Sequence, residues 1–207
     1  WKYDGSGAAR VTDIHQAAGN SGVGDLPLHD SALYFRATND GSEYELWQFD
    51  GTNASMAADV DTQIDGSDTQ SGGSHPMELC SWGSHLYFTA ETASYGAELY
   101  RYDGVEVSLA ADIAPGETMS SRSSQPMETT AFSLGLITAA SETGYEPMDT
   151  EPWYYDGSTA TKAADINPSD SSDPTGFTEY NGALYFSATS TSMPISNYEL
   201  WMLTPNW

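Results

Sequence analysis

The chain alternates short runs of aromatic and aliphatic residues with stretches rich in Gly, Ser, Asp and Pro, and it shows no sustained 3.6-residue hydrophobic period. Segments such as 184–188 and 198–203 are short, aromatic and bounded by turn residues, which is typical of β-strands. Asn181-Gly182 and the pair Asp156-Gly157 each lie between two such segments, so they predict two-residue hairpins with positive φ at both residues. The pattern therefore predicts an all-β protein.

Several short phrases recur in step along the chain, which indicates internal repeats. An aromatic-x-aromatic-Asp-Gly phrase has its aspartates 46, 53 and 53 residues apart, at Asp4, Asp50, Asp103 and Asp156. An Asp followed by Ile or Val recurs with the same spacing, at Asp13, Asp59, Asp112 and Asp165. A proline closes each following loop, at Pro27, Pro76, Pro126 and Pro174. Leu-Tyr-Phe-x-Ala comes next, at 33–37, 86–90 and 184–188, with an eroded copy at 135–139. A glutamate then precedes an aromatic strand, at Glu45, Glu98, Glu151 and Glu199.

These phrases divide the chain into four repeats of about 50 residues, at approximately 1–46, 47–99, 100–152 and 153–207. Each repeat is predicted to form strands A to D, exemplified by 177–180, 184–188, 198–203 and, in the third copy, 160–166. Four-stranded units of this length favour a single domain that is a four-bladed β-propeller of antiparallel blades. A β-solenoid and a strand-exchanged repeat array are the alternatives.

Strand C occurs five times, because it appears both at residues 1–4 and at residues 198–203. The fourth blade is therefore expected to be closed by the N-terminal residues 10–14, which would pair as strand D with residues 198–203. Residues 1–4 would then be displaced, or one of the two strand-C segments would be donated to a neighbouring subunit.

The order of Glu45-Leu46-Trp47-Gln48-Phe49-Asp50-Gly51-Thr52, then Asp165-Ile166-Asn167-Pro168, then a Ser-rich loop and Leu-Tyr-Phe-x-Ala resembles the ELWxxDGT (hyalin-like) repeat family. The resemblance covers essentially the whole chain. It departs from the pattern at Tyr100, at Pro152 and in the eroded strand. It implies an extracellular repeat scaffold of a secreted or cell-surface protein, with no established chemistry.

Charge and composition exclude several classes of function. Thirty acidic residues against six basic ones give a net charge of -24, which repels nucleic acid and anionic membranes. The sequence contains no run of 18 apolar residues, so it predicts no membrane-spanning helix. The single cysteine, Cys80, excludes an internal disulfide framework. A content of 39% hydrophobic residues nevertheless predicts a folded chain.

One acidic segment is a candidate calcium site. Asp59, Asp61, Asp65 and Asp68 place oxygen ligands at close spacing, which suits Ca²⁺, although the spacing differs from that of an EF-hand. A solvated acidic loop is the alternative interpretation.

The four repeated glutamates are predicted to be structural, because catalysis needs a singular pair of carboxylates and not a repeated one. Asn53 begins an N-x-S sequon at a hairpin and is a candidate glycosylation site. The sequence therefore favours a non-catalytic, extracellular structural or adhesive module that binds protein neighbours or glycans, with self-association possible. A glycan-binding lectin and a polysaccharide or ester hydrolase are the alternatives.

Overall fold

The computed structural model describes residues 1–16, 19–65, 73–116, 123–144, 149–191 and 197–204. The N-terminal hairpin consists of β1 (Lys2–Tyr3) and β2 (Ala8–Ala9). The first sheet contains β3 (Leu28–His29), β4 (Ala32–Ala37), β5 (Glu45–Phe49) and β6 (Ala54–Ala58), followed by the short helix α1 (Val60–Asp65). The second sheet contains β7 (Met77–Trp82), β8 (His85–Thr92), β9 (Gly96–Tyr102) and β10 (Val107–Ala111). The third contains β11 (Met127–Phe132), β12 (Gly135–Ser141), β13 (Thr150–Tyr155) and β14 (Ala160–Lys162). The fourth contains β15 (Thr175–Tyr180), β16 (Ala183–Thr189) and β17 (Tyr198–Leu203).

Every sheet is antiparallel and its strands pair in chain order, as expected for consecutive hairpins. The all-β class and the four-strand repeat are therefore confirmed for the first three sheets. The fourth sheet has three strands, because no strand in the described part of the chain pairs with the outer edge of β17. Within the described part of the chain, no helix is long and apolar enough to cross a membrane.

The sheets pack face to face in chain order, and the alternation of side chains along each strand decides which neighbour a residue meets. In β8, Leu86 and Phe88 pack against the first sheet, whereas Tyr87 between them packs against the third. In β16, Leu184 and Phe186 pack against the third sheet in the same way. Each interior sheet is therefore buried on both faces, and its strands read as nearly continuous hydrophobic runs.

The predicted closure of the fourth sheet by the N-terminal strand does not form. Residues 8–9 pair with β1 and not with β17, and the segment around Ile14 packs on Phe35, Ala37 and Trp47 of the first sheet. The sheets pack consecutively from the first to the fourth, and no packing of the fourth sheet on the first is seen among the described residues, so a closed four-bladed propeller is not confirmed.

Two local predictions need correction. Asp50-Gly51 does not form a two-residue turn, because the loop spans four residues and only the glycine has positive φ. The Asp50 carboxylate instead accepts hydrogen bonds from the N–H groups of Thr52 and Asn53, which closes the loop. The same side-chain arrangement occurs at the other three Asp-Gly loops, at Asp4, Asp103 and Asp156. Asn181-Gly182, by contrast, is a two-residue turn with positive φ at both residues, as predicted.

The eroded strand of the third repeat is displaced by one residue from its predicted position. Ala140 pairs with Glu151, whereas Ala37 pairs with Glu45 and Ala90 with Glu98. The segment that corresponds to Leu-Tyr-Phe-x-Ala is therefore 136–140 and not 135–139. The sequence comparison missed this register because the two aromatic residues are replaced.

Candidate functional site

In each of the first three sheets, a buried glutamate near the start of strand C binds the loop that follows strand D. In the second sheet, Glu98 is fully buried and its carboxylate accepts the N–H groups of Ile113 and Ala114 at 2.8 and 3.2 Å. It also accepts the N–H and the hydroxyl of Ser124, at 2.9 and 2.6 Å. Four donors therefore converge on one carboxylate inside the protein.

The first and third sheets repeat this arrangement, which we call the carboxylate staple. In the first sheet, Glu45 accepts from Val60 N, Ser74 N and Ser74 Oγ at 2.8, 2.8 and 2.7 Å. In the third, Glu151 accepts from Ile166 N, Asn167 N and Ser172 Oγ at 2.9, 3.2 and 2.7 Å. The prediction that these repeated glutamates are structural agrees with these contacts.

The serine of each staple also holds the next sheet. The carbonyl oxygen of Ser74 accepts the N–H of Glu91, at the end of β8, at 2.8 Å. The carbonyl oxygen of Ser124 accepts the N–H of Ser141 in the third sheet, at 2.9 Å. The carbonyl oxygen of Ser172 accepts the N–H of Thr189 in the fourth sheet, also at 2.9 Å. One serine therefore joins the glutamate of one sheet to strand B of the next.

Sequence reasoning missed these serines, although a signal was present. Each stands two residues before a loop proline, in Ser74-His75-Pro76, Ser124-Gln125-Pro126 and Ser172-Asp173-Pro174. A residue of constant identity at constant spacing inside an otherwise variable loop indicates a specific contact.

The two ends of the chain each carry one half of a staple. At the C-terminal end, Glu199 lies at the staple position of β17, and its side chain is exposed and bonded by the neighbouring Asn197 side chain. At the N-terminal end, the carbonyl oxygen of Ser21 accepts the N–H of Thr38 at 3.0 Å. The carbonyl oxygens of the other staple serines accept an N–H of the next sheet in the same way. The Ser21 hydroxyl accepts the N–H of His15 and contacts no glutamate among the described residues.

Burial changes the acidity of the staple. Removal from water raises the pKa of Glu98 to about 7, against which its hydrogen bonds act in the opposite direction. Desolvation also raises the pKa of Glu45 and of Glu151. The exposed loop aspartates behave oppositely, because hydrogen bonds from their own loops lower the pKa values of Asp50, Asp103 and Asp156.

The first sheet differs from the others by an acidic cluster. Glu45, Asp59 and Asp61 each place a carboxylate oxygen within 4.8 Å of the others, close enough to hold a metal ion together. Asp61 is 2% exposed, and no N–H or O–H group among the described residues donates to its Oδ2 atom. Burial, then the neighbouring Asp59, then the charge of Glu45 raise the pKa of Asp61 to about 7.

This cluster breaks the symmetry of the repeats. Ala114 and Asn167 occupy the position of Asp61 in the second and third repeats, so the third carboxylate is specific to the first. Asp59 also accepts the N–H of Thr62 at 3.2 Å, at the start of α1. Of the four predicted calcium ligands, the structure brings Asp59 and Asp61 together and adds Glu45. The Asp65 side chain and Asp68 lie outside the described residues.

Asn53 is exposed in the loop between β5 and β6. Its N–H and its carbonyl both bond to Asp50, while the side chain is solvent-accessible. This position is compatible with the sequon, and glycosylation remains a prediction.

The outer face of the fourth sheet is the second candidate site. Its side chains project away from the third sheet and include Tyr180, Tyr198, Leu200 and Met202, which are 63, 50, 76 and 53% exposed. Leu46 and Leu99 hold the repeat position of Leu200, yet both are fully buried against the following sheet. The structure therefore leaves open at its end a face that is covered in every interior sheet.

Comparison with known proteins adds no assignment: no protein-family model matches the chain, and no curated protein sequence matches it significantly.

We expect the protein to lose stability as the pH rises from about 4.5 to about 7. A carboxyl with a raised pKa in the folded state binds its proton more tightly there than in the unfolded chain, so deprotonation favours unfolding. The shift of Glu98, from 4.5 to about 7, contributes on the order of 3 kcal/mol to this change. Urea denaturation between pH 4.5 and pH 8 measures the slope.

Glu98→Gln should flatten this pH dependence and lower stability by roughly 1–3 kcal/mol at pH 5, because one acceptor oxygen becomes an amide donor facing backbone N–H groups. Glu106→Gln is the matched control, since Glu106 is exposed and its side chain makes no staple. Equal pH slopes in wild type and Glu98→Gln would contradict the assignment.

Proposed function

We propose that this chain is a non-catalytic structural or adhesive module of an extracellular assembly, and that it binds protein neighbours through the outer face of its fourth sheet. The observation that supports this most directly is the exposure of Leu200 at a position that is buried in the first and second sheets. An apolar sheet face that remains open marks a surface for a partner. The extracellular setting rests on the resemblance to ELWxxDGT repeats.

The edge of the same sheet supports the proposal. Within the described residues β17 pairs with β16 on one side only, so its other side is an open sheet edge that can accept a further strand. A strand from a partner adds to such an edge while the apolar face packs on it.

The carboxylates in the described residues favour a scaffold over a hydrolase. The acidic cluster of the first sheet is asymmetric, as a catalytic pair would be, but Glu45 and Asp61 are only 3 and 2% exposed. A polysaccharide or an ester cannot reach these groups without opening the sheet. Glu45 also accepts three hydrogen bonds, from Val60 N, Ser74 N and Ser74 Oγ.

We expect a photo-crosslinking amino acid at position 200 to capture discrete protein partners when the chain is returned to its producing cells. The same residue at position 105 is the control, because Val105 is 80% exposed at a hairpin tip away from the fourth sheet. Adducts at 200 that are absent at 105 support the proposal.

Two results would overturn it. One is the absence of protein adducts at position 200. The other is specific binding on a glycan array that Tyr198→Ala abolishes, which would favour the lectin alternative, since exposed tyrosine rings also stack on sugars.

We also propose that the acidic cluster of the first sheet binds Ca²⁺ weakly and stabilises the fold. Three carboxylates this close repel one another when ionised, and a divalent cation removes that repulsion. The unpaired Oδ2 of Asp61 offers a buried ligand atom, and hard oxygen ligands are what Ca²⁺ prefers. The net charge of -24 raises the local concentration of cations.

Millimolar Ca²⁺ should raise the melting temperature of the wild type by about 2–4 °C, as expected for about 1 kcal/mol in a chain of this size. Asp61→Asn should abolish this increase and should stabilise the calcium-free protein, because it removes one buried repulsive charge. Asp112→Asn is the control, because Asp112 holds the repeat position of Asp59 in the second repeat, where Ala114 replaces Asp61. This variant should keep the calcium-dependent increase in melting temperature. An equal calcium effect in Asp61→Asn and wild type would contradict the site.

A further inference from the structure

We infer that the partner of the open fourth sheet is a second copy of this chain, docked head to tail so that its N-terminal segment supplies the missing strand D. This inference rests on the proposed function, because it names the occupant of the same face. It follows from the match between the described contacts of β17 and those of residues 8–21.

The two half-staples are complementary. Among the described residues, Glu199 is bonded by Asn197 and by none of the loop N–H groups or the serine that bind Glu98, which follow strand D in the repeats. By repeat position, Ile14, His15 and Ser21 are the corresponding donors, and they have no glutamate of their own among the described residues. Joining Glu199 of one copy to Ile14 and Ser21 of the next would complete a fourth staple.

The backbone pairing matches in the same register. In the third sheet, the N–H of Ala163 donates to the carbonyl of Pro152 at 2.8 Å, which attaches strand D to strand C. Val11 holds the repeat position of Ala163, and Leu200 holds that of Pro152. No hydrogen bond described for the isolated chain uses the Val11 N–H, so this group is available to the Leu200 carbonyl of another copy.

The strand that would be displaced is weakly held. β1 pairs with β2 through only two residue pairs, Lys2 with Ala9 and Tyr3 with Ala8, and all four residues are exposed. β17 has the strand-C sequence of the repeats over six residues. Exchange of β1 for β17 would therefore replace a short exposed pairing by a longer one.

The apolar surfaces also correspond. We call the face of the first sheet that carries Phe35 and Trp47 the head, and the outer face of the fourth sheet the tail. The head borders a cavity of about 610 Å³. Trp1 and Leu26, which are 85 and 59% exposed, also line this cavity. At the tail, Leu200 and Met202 are exposed. The interfaces between successive sheets within the chain already join these two kinds of face, so docking would continue an interface that the fold uses three times.

Charge sets a condition on this association. Each copy carries a net charge of -24, so two copies repel at low ionic strength. Self-association should therefore strengthen as salt is added, the opposite of an interface held by opposite charges.

Sedimentation velocity of the 207-residue chain at high and low salt tests the inference. The wild type should form concentration-dependent dimers and longer species. Leu200→Arg, which blocks the tail, and Val11→Pro, which blocks the head, should each weaken self-association at least about a hundredfold. Leu134→Arg is the control, because Leu134 is 50% exposed at a turn of the third sheet.

The decisive sample is a mixture of the two blocked variants. A head-to-tail interface leaves one functional end on each, so the mixture should form a one-to-one dimer that neither variant forms alone. Circular dichroism first establishes that both variants are folded. A wild type that stays monomeric at all concentrations, or a mixture that stays monomeric beside an associating wild type, would overturn the inference. Protein adducts at position 200 without a second copy would overturn it while leaving the proposed function intact.

Discussion

The carboxylate staple is the interaction on which the rest of the structure depends. A buried glutamate collects the N–H groups of the loop after strand D, and the serine that completes the staple holds the next sheet by its own carbonyl. Without it, the loops between sheets would bury backbone donors with no acceptor, which costs more than the net gain of an ordinary hydrogen bond. The staple thus fixes both the end of one sheet and the position of the next.

The staple also explains how so acidic a chain folds. The staple glutamates Glu45, Glu98 and Glu151 each accept three or four hydrogen bonds, and burial raises their pKa values, which reduces the charge that must be buried. The loop aspartates are stabilised by N–H groups of their own turns. Burial of apolar side chains between neighbouring sheets drives their packing. In β8, for example, Phe88 packs on the first sheet and Tyr87 on the third.

Much of the fold could be predicted from the sequence, because the four repeats can be compared with one another. The strand order and the structural role of Glu98 followed from position and recurrence alone. The serine partners were missed because their separation from strand D varies, although their spacing to the loop prolines is constant. The proximity of Glu45 to Asp59 and Asp61 could not be predicted, because it depends on how the chain turns after β6. The expected closure of the fourth sheet by residues 10–14 is not seen in this structure, because residues 8–9 pair with β1 and Ile14 packs on the first sheet.

Amide hydrogen exchange tests the staple most directly, since the same repeat position occurs with and without its glutamate. Val60, Ile113 and Ile166 donate to a buried carboxylate, whereas Ile14 has no such acceptor among the described residues. In dilute solution, the first three amides should be strongly protected and that of Ile14 should exchange rapidly. Equal protection at all four positions would contradict the account, because the glutamate would then not be what holds these loops.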